Sequence, residues 1–235
     1  MKKILTLILA TTISTNIFAQ LKASLKFSPT LAMNLITDNS GIKDNKSYDD
    51  NGLGLRYSTG INLDFHFNNT VAFGTGLWFS VRKVGITTTN DLVPSPNNKT
   101  DEVYNLQYLQ IPLTLKMFTN EIADDMRLYF QVGPSVDFKI NEKLLKGNEL
   151  DKPVYAAAFN DGKRAVFSYI DLSIIGGAGV EYQMGEHTAL FVGLSYNRGL
   201  LNTLNPLLKW GDGSYVNADI NNKTSAISLD LGIKF

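Results

Sequence analysis

Toward its end, from Asn222 to Phe235, the chain sets Ile227, Leu229, Leu231, Ile233 and Phe235 against Ser228, Asp230, Gly232 and Lys234. A period of two with one apolar and one polar face predicts a β-strand. The same period recurs upstream. The segment at about 23–35 sets Leu25, Phe27, Leu31 and Met33 against Lys26, Ser28, Thr30 and Asn34. The one at about 54–67 sets Leu55, Tyr57, Ile61, Leu63, Phe65 and Phe67 against Arg56, Ser58, Gly60, Asn62, Asp64 and His66. Further strands are predicted over about 70–84, 104–118, 126–140, 166–182 and 188–199.

The joins between these eight segments alternate in length. Asn68-Asn69, Asn120 to Asp125 and Gly185 to His187 are short, whereas about 36–53, 85–103, 141–165 and 200–221 are long and polar. Short turns at one end and long loops at the other, with an even strand count, form the outer-membrane pattern. The expected fold is all-β: an eight-stranded antiparallel up-and-down transmembrane β-barrel with four long outer loops, short periplasmic turns and both termini in the periplasm.

A soluble barrel of lipocalin type also alternates, with its apolar side chains inside. Two features favour the membrane form. The polar face is rich in Gly, Ser and Thr, which suits a crowded interior better than a solvated surface. The apolar face carries almost no charge, and its aromatics gather near strand ends, Phe65, Phe67, Tyr182 and Phe235 at one and Tyr57, Phe79 and Tyr196 at the other, as girdles do.

Residues 1–19 have the form of an export signal. Lys2 and Lys3 precede an apolar run too short for a membrane helix, and Ile17-Phe18-Ala19 before Gln20 places cleavage between Ala19 and Gln20. The barrel domain is then 20–235. No cysteine is present, which excludes lipoprotein anchoring, disulfides and thiol chemistry. Lysine plus arginine and aspartate plus glutamate each number 22, so no basic face for a nucleic-acid partner is expected.

Charges on the polar faces fall at two depths. Arg56, Arg82, Asp137, Lys139, Asp171 and Arg198 lie toward the outside, and Lys26, Asp64, Lys116, Glu181, Asp230 and Lys234 toward the periplasm. Eight strands enclose room only for their own side chains, so these charges are expected to pair rather than to line a channel. An ion or proton relay is the competing role.

Catalytic chemistry finds no constellation. His66 shares a strand face with Asp64 and His187 sits in a turn, but both lie at the periplasmic end, away from an outer-leaflet substrate. Asp44, Asp49, Asp50 and Asn51 lack the spacing of a calcium loop. Gly74 and Gly76 precede no helix that could receive a phosphate. No cofactor, metal site or enzymatic activity is expected. Trp210, Tyr215 and Pro94-Ser95-Pro96 are candidate ligand contacts in the outer loops.

Three stretches carry a family resemblance: Tyr108-Leu109-Gln110-Ile111-Pro112-Leu113-Thr114-Leu115-Lys116, the strand from Gly176 through Tyr182, and the terminal Gly232-Ile233-Lys234-Phe235. With them the chain resembles the PorT-like outer-membrane β-barrel family of Bacteroidetes-type bacteria. The resemblance implies an eight-stranded barrel and points toward protein secretion and gliding. It also implies membrane lipid and lipopolysaccharide, the barrel-assembly machinery and secretion-apparatus proteins as partners. Phe235 closes the alternating pattern that assembly machinery reads. Its deletion is expected to lower outer-membrane levels and raise periplasmic degradation, measured by fractionation and immunoblotting.

Overall fold

The computed structural model describes residues 21–38, 46–147, 165–207 and 220–235. The export segment 1–19, the Ala19-Gln20 junction, Asp44, Trp210 and Tyr215 lie outside them. The described strands are β1 (Leu21–Asp38), β2 (Lys46–Asp50), β3 (Gly54–His66), β4 (Val71–Asn90), β5 (Lys99–Ala123), β6 (Met126–Lys146), β7 (Ile170–Gln183), β8 (Ala189–Gly199) and β9 (Ile220–Lys234). β1, β3, β4, β5, β6, β7, β8 and β9 pair in that order, each antiparallel to the next, and β9 pairs with β1. The ring is therefore closed and eight-stranded, as the alternation predicts.

Its polarity is inverted relative to a soluble barrel. Along β1, Ser24, Lys26, Ser28 and Thr30 are buried while Leu25, Phe27 and Leu31 are exposed. The same holds on β8, where Ser195 is buried and Leu190, Val192 and Leu194 are exposed. Phe67, Tyr182 and Phe235 stand exposed at the periplasmic end. Such an apolar exterior would be costly in water, at about 25 cal/mol per Å2, and is at home only in hydrocarbon.

The wall extends further outward than the alternation shows. β5 runs for 25 residues, whereas about 9–11 cross a bilayer. β4 and β5 stay in register up to Thr89 opposite Lys99, so the outer join between them is 91–98 rather than 85–103. The added residues, Thr87 to Thr89 among them, suit a pleated backbone by their β-branching but do not alternate in polarity. In this outer extension, above the bilayer, Thr87 and Lys146 hold the Asp101 carboxyl below the usual carboxylate range.

β2 falls in the stretch expected to be the first loop. It pairs with the outer end of β4, while β3 pairs with β4 only from Ser58 opposite Ser80 onward. Together β2 and β3 form one strand interrupted at 51–53. There the backbone crosses over the outward face of β4, and the Lys83 ammonium donates to the carbonyls of Asn51, Gly52 at 3.2 Å and Leu53 at 3.3 Å. The edge of β4 left open is closed from β1. The Asn34 amide bonds both the N–H and the C=O of Gly85, each at 2.9 Å, and so stands in for a missing ladder pair.

A closed ladder of this kind resists detergent. The protein is expected to migrate as a compact band on unboiled gels and as a slower band after boiling, with the folded band recovered in outer-membrane fractions.

Candidate functional site: a filled lumen

The inward faces build three layers. In the periplasmic layer, Lys26 of β1 pairs with Asp230 of β9 at 3.3 Å, and Ser28 donates to the same carboxylate at 2.7 Å. Asp64 of β3 lies between Lys116 of β5 at 2.6 Å and Lys234 of β9 at 3.2 Å. Lys234 also pairs with Glu181 of β7, which receives Arg127 of β6 as well. Four inward aromatics, Trp78, Phe118, Tyr129 and Phe191, fill the remaining space, with the Lys26 ammonium 3.3 Å from the centroid of the Trp78 ring. A cavity of about 20 Å3 is left, room for roughly one water.

Glycines make this packing possible. Gly193 lies under the Tyr129 hydroxyl, where a Cβ would sit 2.3 Å from it, and Gly232 lies opposite Phe191, where a Cβ would sit 2.3 Å from the ring. The glycine-rich inward rows therefore serve as sockets for large rings.

The middle layer centres on Arg82 of β4. Its guanidinium reaches Asp137 of β6 at 2.5 Å, Asp171 of β7 at 3.2 Å and the Thr224 hydroxyl of β9 at 3.3 Å, and stacks 4.7 Å from the Tyr108 ring centroid. Asp137 takes further bonds from Ser135 and, at 2.8 Å, from Ser173. Arg82, Asp137 and Asp171 are almost wholly buried, so each charge depends on these contacts.

The outer layer is apolar. Val166 and Phe167 before β7 and Leu204 after β8 turn into the mouth and pack on Val84, Ile86, Tyr104 and Leu106 of the wall. Phe167 and Leu204 pair as a β-bridge. Lys139 and Glu142 form an ion pair that clamps this plug. Glu142 accepts from the N–H groups of Val166 at 2.9 Å and Phe167 at 3.3 Å, and Lys139 donates to the Phe167 carbonyl at 2.6 Å. On the other side, Asn222 donates to the Thr203 hydroxyl at 2.5 Å, and Asn202 donates to the Ile220 carbonyl at 2.8 Å.

The charges expected at the periplasmic depth all pair there, Lys26 with Asp230 as one group and Lys116, Asp64, Lys234 and Glu181 as another that Arg127 joins. Those expected at the outer depth do not. Arg82, Asp137 and Asp171 form the middle layer, whereas Lys139 takes Glu142 and holds the plug. Arg56 is not in the lumen: where β3, still paired with β1, has parted from β4, its guanidinium reaches outward-facing Asn105 at 2.5 Å. Arg198 is not in the lumen either. It follows outward-facing Tyr196 by two residues and donates to Ser225 at 3.1 Å. A strand puts i and i+1 on opposite faces, so inward Asn197 and Arg198 cannot share one.

Arg127, Tyr129 and Phe191 continue the inward parity of Gln131 and Gly193, a signal present in the alternation. The plug has no period-two pattern to betray it. His66 stacks on Phe118 with centroids 5.3 Å apart, while neighbouring Asp64 turns to its two lysines, so no acid–base pair forms. At the periplasmic rim an open cleft of about 320 Å3 is lined by Lys22, Glu121, Asp125, Arg127, Glu181 and Glu186. Glu181 also lines the buried cavity, so its ion pairs are the partition between cleft and lumen.

The family model described as an outer membrane protein beta-barrel domain matches residues 18–205. The chain belongs to this outer-membrane β-barrel family. The barrel is thus a protein of the cell outer membrane. Neisserial surface protein A is similar in structure, with a TM-score of 0.50 at 13% identity over 92% of this chain and 96% of that one. OprG of Pseudomonas aeruginosa is also similar, with a TM-score of 0.49 at 13% identity and the same coverage. No curated protein matches the sequence.

Removing one member of a buried ion pair costs about 3–5 kcal/mol, because the other charge stays behind. Asp137→Ala is expected to lower unfolding stability in lipid by about that amount, and by more than Asp171→Ala, since Asp137 makes the shorter contact to Arg82 and also accepts two serine hydroxyls. Urea titrations followed by tryptophan emission or gel mobility check the order.

Proposed function

We propose that the barrel is a non-catalytic, non-conducting protein that acts through its two ends, as an accessory of protein secretion or envelope assembly of the PorT-like kind. The observation that carries this reading is the lumen, which the described residues fill above the periplasmic cleft with two ion-pair layers, four aromatic rings and an apolar plug. A filled lumen supports neither a channel nor a buried catalytic cleft, and leaves the periplasmic rim and the outer sheet as working surfaces.

The projecting outer parts of β2, β4, β5 and β6 favour a second reading, a surface ligand-binding or adhesive protein, because they offer a rigid platform above the membrane. A deletion strain compared with its parent separates the two. A changed profile of secreted proteins, restored by the intact gene, supports the accessory role, whereas unchanged secretion with weakened surface adhesion supports the second. In planar bilayers the purified barrel is expected to carry no steady porin-like current. Large currents would put transport ahead of both.

A further inference from the structure

The outward face of β3 to β6 changes character toward the outer end of the apolar belt. Leu109 and Phe138 are register partners on β5 and β6, and Tyr57 and Phe79 stand beside each other on β3 and β4 with ring centroids 6.1 Å apart. The next outward row carries amides, Gln107 opposite Asn141, with the Asn141 amide donating to Gln107 at 3.3 Å. The row after that is cationic. Asn105 is the register partner of Lys143 on one side and is bonded by Arg56 on the other. Register partners place their Cβ atoms roughly 5 Å apart, so Arg56 and Lys143 flank one amide.

Neither cation has an acidic partner among the described residues. Arg56 spends one N–H on Asn105 and another on its neighbour's Leu55 carbonyl at 2.7 Å. A guanidinium carries about five N–H donors, so most remain available. Lys143 is exposed and makes no ion pair among the described residues. The Asp101 carboxylate on the same outward face is taken by Lys146 at 3.1 Å.

We propose that this face is a lateral binding site for a phosphorylated saccharolipid of the outer leaflet. The acyl chains lie on Leu109, Phe138, Tyr57 and Phe79, the sugar's polar groups meet Gln107 and Asn141, and a sugar phosphate takes the free N–H groups of Arg56 and Lys143. The order of the three rows matches the order of chemistry along such a lipid from tail to head. The site continues the hydrocarbon-facing surface without a break, and charge-assisted bonds to phosphate are among the strong ones. It is independent of any role in secretion.

The test uses the full barrel in phosphatidylcholine vesicles doped with phosphorylated lipid A, or with the same lipid A stripped of phosphate, or bathed in inorganic phosphate alone. Retained lipid is measured by native mass spectrometry, and the temperature at which the folded gel band disappears is recorded. Phosphorylated lipid A is expected to be retained and to raise that temperature, with the stripped lipid and free phosphate doing neither. Arg56→Gln with Lys143→Gln should cut retention about tenfold, the equivalent of losing one charge-assisted bond. Lys146→Gln, whose lysine is already paired, should leave retention unchanged. Should the double variant fold poorly, Lys143→Gln alone carries the test, because Lys143 is exposed and forms no hydrogen bond or ion pair among the described residues. Equal retention of stripped lipid, undiminished retention by the variants, or the same stabilisation from free phosphate would each overturn the site.

Discussion

Every charge inside this barrel must find its partner among side chains, because a closed eight-stranded wall leaves almost no water to solvate it. That requirement organises the rest. Arg82 draws Asp137, Asp171 and Thr224 from three other strands to one point, and Lys234 draws Asp64 and Glu181 across the opposite end. These pairs tie strands that are not neighbours in the wall. They act as cross-braces inside a ladder whose hydrogen bonds hold only adjacent strands together.

Closure of the ring depends on the same chemistry. β1 and β9 are sequence-distant, and their seam is reinforced from inside by Lys26 with Asp230 and by Thr30 with Ser228 at 2.9 Å. The aromatics then exclude most of the water that is left, and Trp78, Tyr129 and Phe191 are each admitted by a glycine on a facing strand. Charge pairing and glycine placement therefore serve one end, a lumen filled by the side chains of its own described strands.

The outer mouth is closed by other means. Its plug is an ordinary apolar cluster, and the Lys139–Glu142 pair bonds the plug's backbone rather than bracing the wall. A filled centre pushes function to the surfaces. The outer sheet, the periplasmic cleft and the outward row of Arg56 and Lys143 are the surfaces left open to a partner.

The alternation by itself determined the strand count, the inside-out polarity and the depth of most buried charges, because a pleated strand leaves no freedom in which face a residue takes. It also contained the parity of Tyr129, Phe191 and Arg127. It could not determine which charges meet. Lys26 and Asp230 are 204 positions apart, and their contact exists only once closure sets the stagger between the first strand and the last. It could not show that the chain parts from β4 between Asn51 and Tyr57 and takes Arg56 over its outward face, since that follows from the backbone crossing over Lys83. Nor could it show the plug, because Val166, Phe167 and Leu204 are held by contacts from four sides and by no local period. Face is a local property of the chain, whereas partnership belongs to the closed barrel.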